Sequence, residues 1–171
     1  MSNSKPPTPK TIGTKQADIQ YTQRHAIRVI ALNASNQIAL LHAQKDNYHK
    51  LPGGGIEGTE SHAAAAAREG REETGFAIAV RAGGCVAVTE EYRSDLHQFS
   101  HAYIADVVDD ASGDPDLTAE EQADGLSRPE WLAPGEALVK MMSVRPRSEI
   151  GLFIQERDGY LLGEAIRVLG M

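Results

Sequence analysis

The sequence predicts an α/β or α+β fold, with a mostly β core flanked by helices. Three observations carry this. Residues 25–32 and 37–42 are β-like runs around the turn residues Asn33, Ala34, Ser35 and Asn36, a hairpin signal. Residues 59–73 hold five consecutive alanines, the best helix formers. Residues 76–93 and 96–108 read as two long strands, most apolar at Val86-Ala87-Val88 and around Tyr103-Ile104-Ala105.

Taken in order, residues 1–22 are polar and proline-rich and are expected to form a disordered tail, leaving 23–171 as one folded domain. Residues 45–50 read as a polar loop leading to Leu51-Pro52-Gly53. In the helix 59–73, Thr59 is the expected N-cap, Glu60 suits the positive end, and Gly75 sits where a left-handed stop is expected. Residues 109–121 read as an acidic loop. A short strand near Trp131 and Leu132 precedes a helix that starts at Pro134. The C-terminal part is helical, with an apolar stripe of Ile150, Phe153, Ile154, Leu161, Ala165 and Val168 and an expected break at Asp158-Gly159. Packing of that stripe on its own domain is favoured over dimerisation, with a homodimer the alternative.

Composition narrows the function classes. The chain has 171 residues, enough for one core, and a net charge of −7, which argues against nonspecific nucleic-acid or anionic-membrane binding. Cys85 is the only cysteine, so no intrachain disulfide and no cysteine-based zinc site is expected. No apolar run approaches membrane-spanning length and the N-terminus lacks a secretory pattern, so a cytoplasmic protein is expected.

The chemistry concentrates in residues 51–76, LPGGGIEGTESHAAAAAREGREETGF. Gly53, Gly55 and Gly58 satisfy a dinucleotide-binding spacing, but the following helix is acidic and no acidic ribose partner follows at the required distance. A phosphate-binding loop ending in Gly-Lys-Ser/Thr is missing. On a helical wheel, Glu69, Glu72 and Glu73 fall within about 100° of arc. Three carboxylates on one face repel each other unless a cation neutralises them, and an all-oxygen set suits Mg²⁺ first and Mn²⁺ second. Such an ion reconciles glycines that admit a phosphate with acids that would repel it. Three glutamates alone fit an ordinary solvated helix face with an Arg68–Glu72 pair.

The complete pattern is more specific: Gly54, Glu60, Arg68-Glu69, Glu72-Glu73, Gly75 and an apolar Phe76 at fixed spacing. It resembles the Nudix box, and the order of elements around it is similar to that of Nudix hydrolases over about residues 24–142. Gly70 departs from the pattern, standing where the family has an aliphatic residue. The resemblance implies a Nudix-like α/β/α sandwich with a mixed sheet and a loop–helix–loop catalytic motif. It implies Mg²⁺-dependent hydrolysis of a small-molecule nucleoside diphosphate linked to a group X. Glu69, Glu72 and Glu73 would hold the metal, joined by the Gly53 carbonyl. Glu60 and Arg68 match a supporting ion pair, with Gly54 and Gly75 as structural glycines. Glu69 or a later glutamate would orient or deprotonate the attacking water, and Glu121, ahead of Glu120, is the candidate outside the box.

Rival readings are a nucleotide-sensing module with little hydrolysis and a prenyl-diphosphate isomerase, for which Cys85 is a poor catalyst. His97 and His101 share one side of a strand but lack a third ligand. Arg28, Lys45, Lys50 and Arg93 are weighed as phosphate contacts against ordinary ion pairing. Tyr48, Tyr92, Phe99 and Trp131 are weighed as base-stacking groups, with core packing favoured. The identity of X is not legible from these residues.

Overall fold

The computed structural model describes residues 5–109 and 113–171. Its centre is a mixed sheet whose strands run in the order β1 (Lys10–Ile12), β6 (Ala87–Arg93), β7 (Leu96–Asp109), β2 (Thr22–Leu32), β3 (Ile38–Ala43) and β4 (Tyr48–Lys50). Strands β5 (Ala77–Val80) and β8 (Glu130–Leu132) add to β7 and β3. The spine is the parallel pair β2–β7, in register from Thr22 opposite Leu96 to Leu32 opposite Asp106.

Alternation along β2 sends its residues to two cores, as strand geometry requires. Ile27, Val29 and Ala31 pack against Ala65 and Ala66 of helix α1 (His62–Thr74). Ile30 and Leu32 face the other way, against Met141 of α3 (Pro134–Ser143) and Leu161, Leu162 and Ala165 of α4 (Glu149–Leu169). The result is an α/β/α sandwich, the expected class. Among the described residues no helix is long and apolar enough to cross a membrane.

Several local expectations are corrected. The segment expected to be a disordered tail supplies β1, which pairs in parallel with β6 and buries Ile12. Its hydrogen bonds satisfy the open edge of β6, a gain that composition does not reveal. The loop expected at 45–50 ends as β4, paired antiparallel with β3. The single strand expected over 76–93 is two, β5 and β6, lying end to end along β7 and separated by a turn in which Gly83 and Gly84 take positive φ. Helix α1 is capped by Ser61, whose side chain accepts from the Ala64 N–H, and not by Thr59. The acidic loop contains a short helix, α2 (Ala119–Ala123), closed by a Thr118–Glu121 capping box.

No break occurs at Asp158-Gly159, because tertiary contacts override the local turn signal. Asp158 is buried and accepts the Leu51 N–H, while a Cβ on Gly159 would lie 2.5 Å from the Met142 sulfur. Gly70 has a similar explanation, since a Cβ there would lie 2.0 Å from Ile78 Cδ1. The missing aliphatic side chain is replaced by one from β5. Of the C-terminal stripe, Leu161 and Ala165 are buried, whereas Ile150 and Val168 stay exposed.

Candidate active site

The site begins with a defect in the sheet. Strands β2 and β3 pair only near their turn, at Leu32 and Ile38. The vacated edge of β2 is taken by the glycine loop: the Ile27 N–H donates to the Gly54 carbonyl, the Val29 N–H to the Pro52 carbonyl, and the Ile56 N–H to the His25 carbonyl. The loop must therefore lie against the strand. At Gly53, with φ 150°, a Cβ would sit 2.0 Å from the Ile27 carbonyl oxygen. At Gly54 it would sit 2.4 Å from Glu69 Oε1, so this glycine leaves the space that the Glu69 carboxylate occupies.

The three carboxylates of α1 occupy different environments. Glu73 is fully buried; its Oε1 is 2.7 Å from Lys50 Nζ and its Oε2 accepts the Gly53 N–H at 2.9 Å. Burial pushes its pKa up to about 7 against the opposing pull of Lys50 and the Gly53 N–H. Glu69 is nearly buried and its Oε1 accepts from Arg68 Nη1 at 2.7 Å. The Glu72 side chain is 40% exposed and lies 3.3 Å from the same nitrogen. Partial burial, then the charge of Glu69, raises the Glu72 pKa.

Arg68 is the hub of this helix face. Its Nη2 donates to Glu60 Oε1 at 2.7 Å and to the Gly55 carbonyl at 3.0 Å, tying the loop to the helix. Those hydrogen bonds, Glu60 foremost, raise the Arg68 pKa, and Arg68 in turn lowers that of Glu60. Gly75, with φ 79°, ends the helix by donating its N–H to the Arg71 carbonyl.

Around the loop lies a cleft of about 760 Å³. Glu57, Glu69, Glu72, Glu120 and Glu121 form one wall, and Arg24, Arg28, Arg93 and Arg157 form another. Glu121 is partly committed, since its Oε2 accepts the Thr118 N–H at 2.8 Å. The Glu120 carboxylate has no hydrogen-bond partner among the described residues, and only its backbone carbonyl is engaged, by the Asp124 N–H. Tyr48 is buried beside the cleft, and Ile150 and Ile154 of α4 give it an apolar border.

Sequence reasoning missed Arg24, Gln98 and Arg157. Arg24 and Arg28 are four apart on one strand and share its cleft face; Gln98 stands opposite Arg24 in register. That parity was the available signal. Arg157 lies on a helix far along the chain and left none. His97 and His101 are on the opposite side of the sheet: His97 pairs with Glu90 and His101 lies 3.1 Å from His25. Trp131 packs edge-on against Phe76, outside the cleft.

The donor chemistry of the acid wall fits a hard divalent cation, because every donor is an oxygen and several carboxylates share one guanidinium. The side chains do not form a ready cage, and among the described residues no three His, Cys, Asp or Glu groups stand so as to hold a metal ion. Glu69 is turned to Arg68, and Glu73 to Lys50 and Gly53.

Comparison with known proteins agrees with the fold. The NUDIX domain model matches residues 22–150. The MutT protein from Methanosarcina mazei Go1 superposes with a TM-score of 0.62 at 14% identity, covering 90% of this chain and 100% of that one. The Ap4A hydrolase of C. elegans gives 0.56 at 15% identity, covering 86% and 99%. An ADP-ribose pyrophosphatase from Streptococcus suis gives 0.53 at 14% identity, covering 84% and 92%. No curated protein matches the sequence. At such identities the structural likenesses establish the fold alone.

Proposed function

Because this chain belongs to the Nudix family, hydrolases that act on pyrophosphate bonds, we propose that it is a Mg²⁺-dependent pyrophosphohydrolase of nucleoside diphosphate derivatives. The observation that carries the proposal is the acid wall: Glu69 and Glu72 open onto the cleft beside a glycine loop held flat against β2.

Glu69 and Glu72 would hold the cation directly, with Glu73 and the Gly53 carbonyl as the remaining candidates. Mg²⁺ would supply neutralisation of phosphate charge and a more acidic bound water. Glu73 has a second duty within the protein, fixing the Gly53 N–H and Lys50 and so the position of the loop. In the reaction, a water oxygen bonds to phosphorus, the bridging P–O bond breaks, and the departing phosphate keeps its electron pair. The water's proton passes to a carboxylate. We assign that role to α2, where Glu120 has the free carboxylate and Glu121 anchors the helix through its cap. Arg68 and Glu60 hold the loop and take no part in bond making.

The test is turnover of a nucleotide panel with millimolar Mg²⁺ by the wild type and by Glu72→Gln. This side chain is half-exposed, so the fold should be kept. Loss of one electrostatic stabiliser should lower kcat by about 10² to 10³. Undiminished turnover in the variant would remove this mechanism. A wild type that binds nucleotides without cleaving any would favour a sensing module instead.

A further inference from the structure

The buried carboxylate of helix α1 is answered by a cation of the chain's own. Glu73 is 0% exposed and both its oxygens are committed: Oε1 lies 2.7 Å from Lys50 Nζ, and Oε2 accepts the Gly53 N–H at 2.9 Å. Among the described residues Lys50 is the only cation within ion-pair distance of Glu73. A carboxylate buried without such a partner is costly, so Lys50 supplies what Glu73 needs inside the fold. Lys50 comes from β4, outside the fixed pattern of residues 54–76, and its side chain is 13% exposed along the wall of the cleft.

The two cations that serve the α1 carboxylates are held differently. Arg68 donates to Glu60 and the Gly55 carbonyl through Nη2, and to Glu60 again through Nε, so it keeps its place even when Nη1 releases Glu69 and Glu72. Lys50 Nζ has one hydrogen bond among the described residues, to Glu73. An ammonium is a point charge on a flexible stem. It can turn into the cleft without disturbing β4, which stays paired with β3 through Lys50 opposite Leu41.

A divalent cation on Glu73 and this ammonium would compete for one oxygen. A hard cation such as Mg²⁺ approaches a carboxylate oxygen to about 2.0–2.1 Å. It would then stand beside an ammonium 2.7 Å from that same oxygen, and like charges at such range repel strongly where little water screens them. Arrival of the cation at Glu73 and departure of Lys50 are therefore a single exchange.

We propose that Lys50 is a displaceable counter-ion of Glu73, which holds the carboxylate beside Gly53 until a divalent cation takes Oε1 and the ammonium swings into the cleft. Lys50 can do this only if the acid wall is the divalent-cation site proposed above. It is then a positioning residue: it weakens metal binding relative to the carboxylates alone and so sets the metal concentration at which the site fills.

The test is Mn²⁺ binding by the full chain without nucleotide, read from the electron paramagnetic resonance of free Mn²⁺. Lys50→Gln removes the charge and should bind the ion at least about tenfold tighter than the wild type, while Lys50→Arg keeps the charge and should stay within about threefold of it. Thermal unfolding supplies a second readout. Without a divalent cation, Lys50→Gln should melt below the wild type because the Glu73 carboxylate is left unpaired, and millimolar Mn²⁺ should restore it. A merely structural ion pair would lower stability and leave the Mn²⁺ affinity unchanged. That result would overturn the inference while leaving the acid wall as a metal site, and so would a variant that Mn²⁺ fails to restore. No Mn²⁺ binding by the wild type or either variant would overturn the metal reading of the acid wall as well.

Discussion

Two charged clusters border the cleft, and their compositions are opposite. Around Arg68, one guanidinium serves Glu57, Glu60, Glu69 and Glu72. Around Asp158 and Glu91, two carboxylates serve Arg28, Arg93 and Arg157. The first cluster opens to solvent, with Glu57 75% exposed and Arg68 23% exposed. The second is part of the core, with Asp158 and Glu91 at 0%. The difference separates two ways of preparing a site. Open carboxylates exchange partners at little cost and suit an ion that comes and goes. Buried arginines fix their charge when the chain folds, and depend on the carboxylates buried with them.

The comparison breaks most clearly if one carboxylate is removed from each cluster. Asp158→Asn keeps the shape and removes the charge, leaving the buried Arg28 without a carboxylate partner among the described residues and Arg157 with Glu91 alone. A loss of about 3–5 kcal/mol in urea unfolding is expected, as for any buried pair deprived of one partner. Glu60→Gln, in the open cluster, should cost less, about 1 kcal/mol, because its pair with Arg68 is in reach of solvent, at 18% and 23% exposed, and not sealed in the core. Similar losses for the two variants would show that burial does not distinguish the clusters.

The next prediction concerns pH and asks whether the clusters set the acid limit of stability. His49 is held down to about 4 by burial and then by His42, which stacks on it at 4.5 Å. His101 is held at about 4 by burial and then by His62 and His25. A folded pKa below the ordinary 6.5 means that the unfolded chain takes up the proton first. The stability from these rings is therefore complete above 6.5 and is lost as pH falls toward 4. Asp158 acts lower: burial opposes its charge, but Arg157 and Arg28 outweigh burial and lower its pKa, so its contribution is lost below its ordinary 3.8. Glu73, raised to about 7, has the opposite sign and is relieved as pH falls from 7 to about 4.5. His49→Gln should flatten the decline between pH 6.5 and 4 by about 3 kcal/mol. An unchanged slope would move the acid limit back to the carboxylates.

These two clusters also differ in how far the sequence reveals them. The Arg68 cluster is local: residues 57–72 bring it together through a loop and one helix, so spacing alone exposes it. The arginine cluster joins positions 28, 91, 93, 157 and 158, which only the sheet register and the docking of α4 bring side by side. Single arginines at those positions look like surface charges. The same distinction explains the fold. Helix α1 and the β2–β3 hairpin have local signals, whereas β1 is made by pairing with a distant edge. The continuity of α4 through Asp158-Gly159 is imposed by Leu51, Arg157 and Met142.

Helix α1 contains the same contrast on a smaller scale, because its acid face is open and its other face is set by contact with β5. Gly70 belongs to the second face. Replacing it with alanine should gain about 1 kcal/mol of helix propensity. The new Cβ would lie 2.0 Å from Ile78 Cδ1 and 2.6 Å from Cγ1, and overpacking of that kind costs about 1–3 kcal/mol. Ile78 is fixed by β5 pairing with β7 and by its buried position, so it has little room to move aside. Gly70→Ala should therefore destabilise the protein by about 1 kcal/mol. Made on an Ile78→Ala background, the same change should stabilise it, since the propensity gain remains and the collision is gone. The sign reversal in a double-mutant cycle is the diagnostic. If alanine at 70 is tolerated beside the intact isoleucine, then this face of the helix is as adaptable as the acid one.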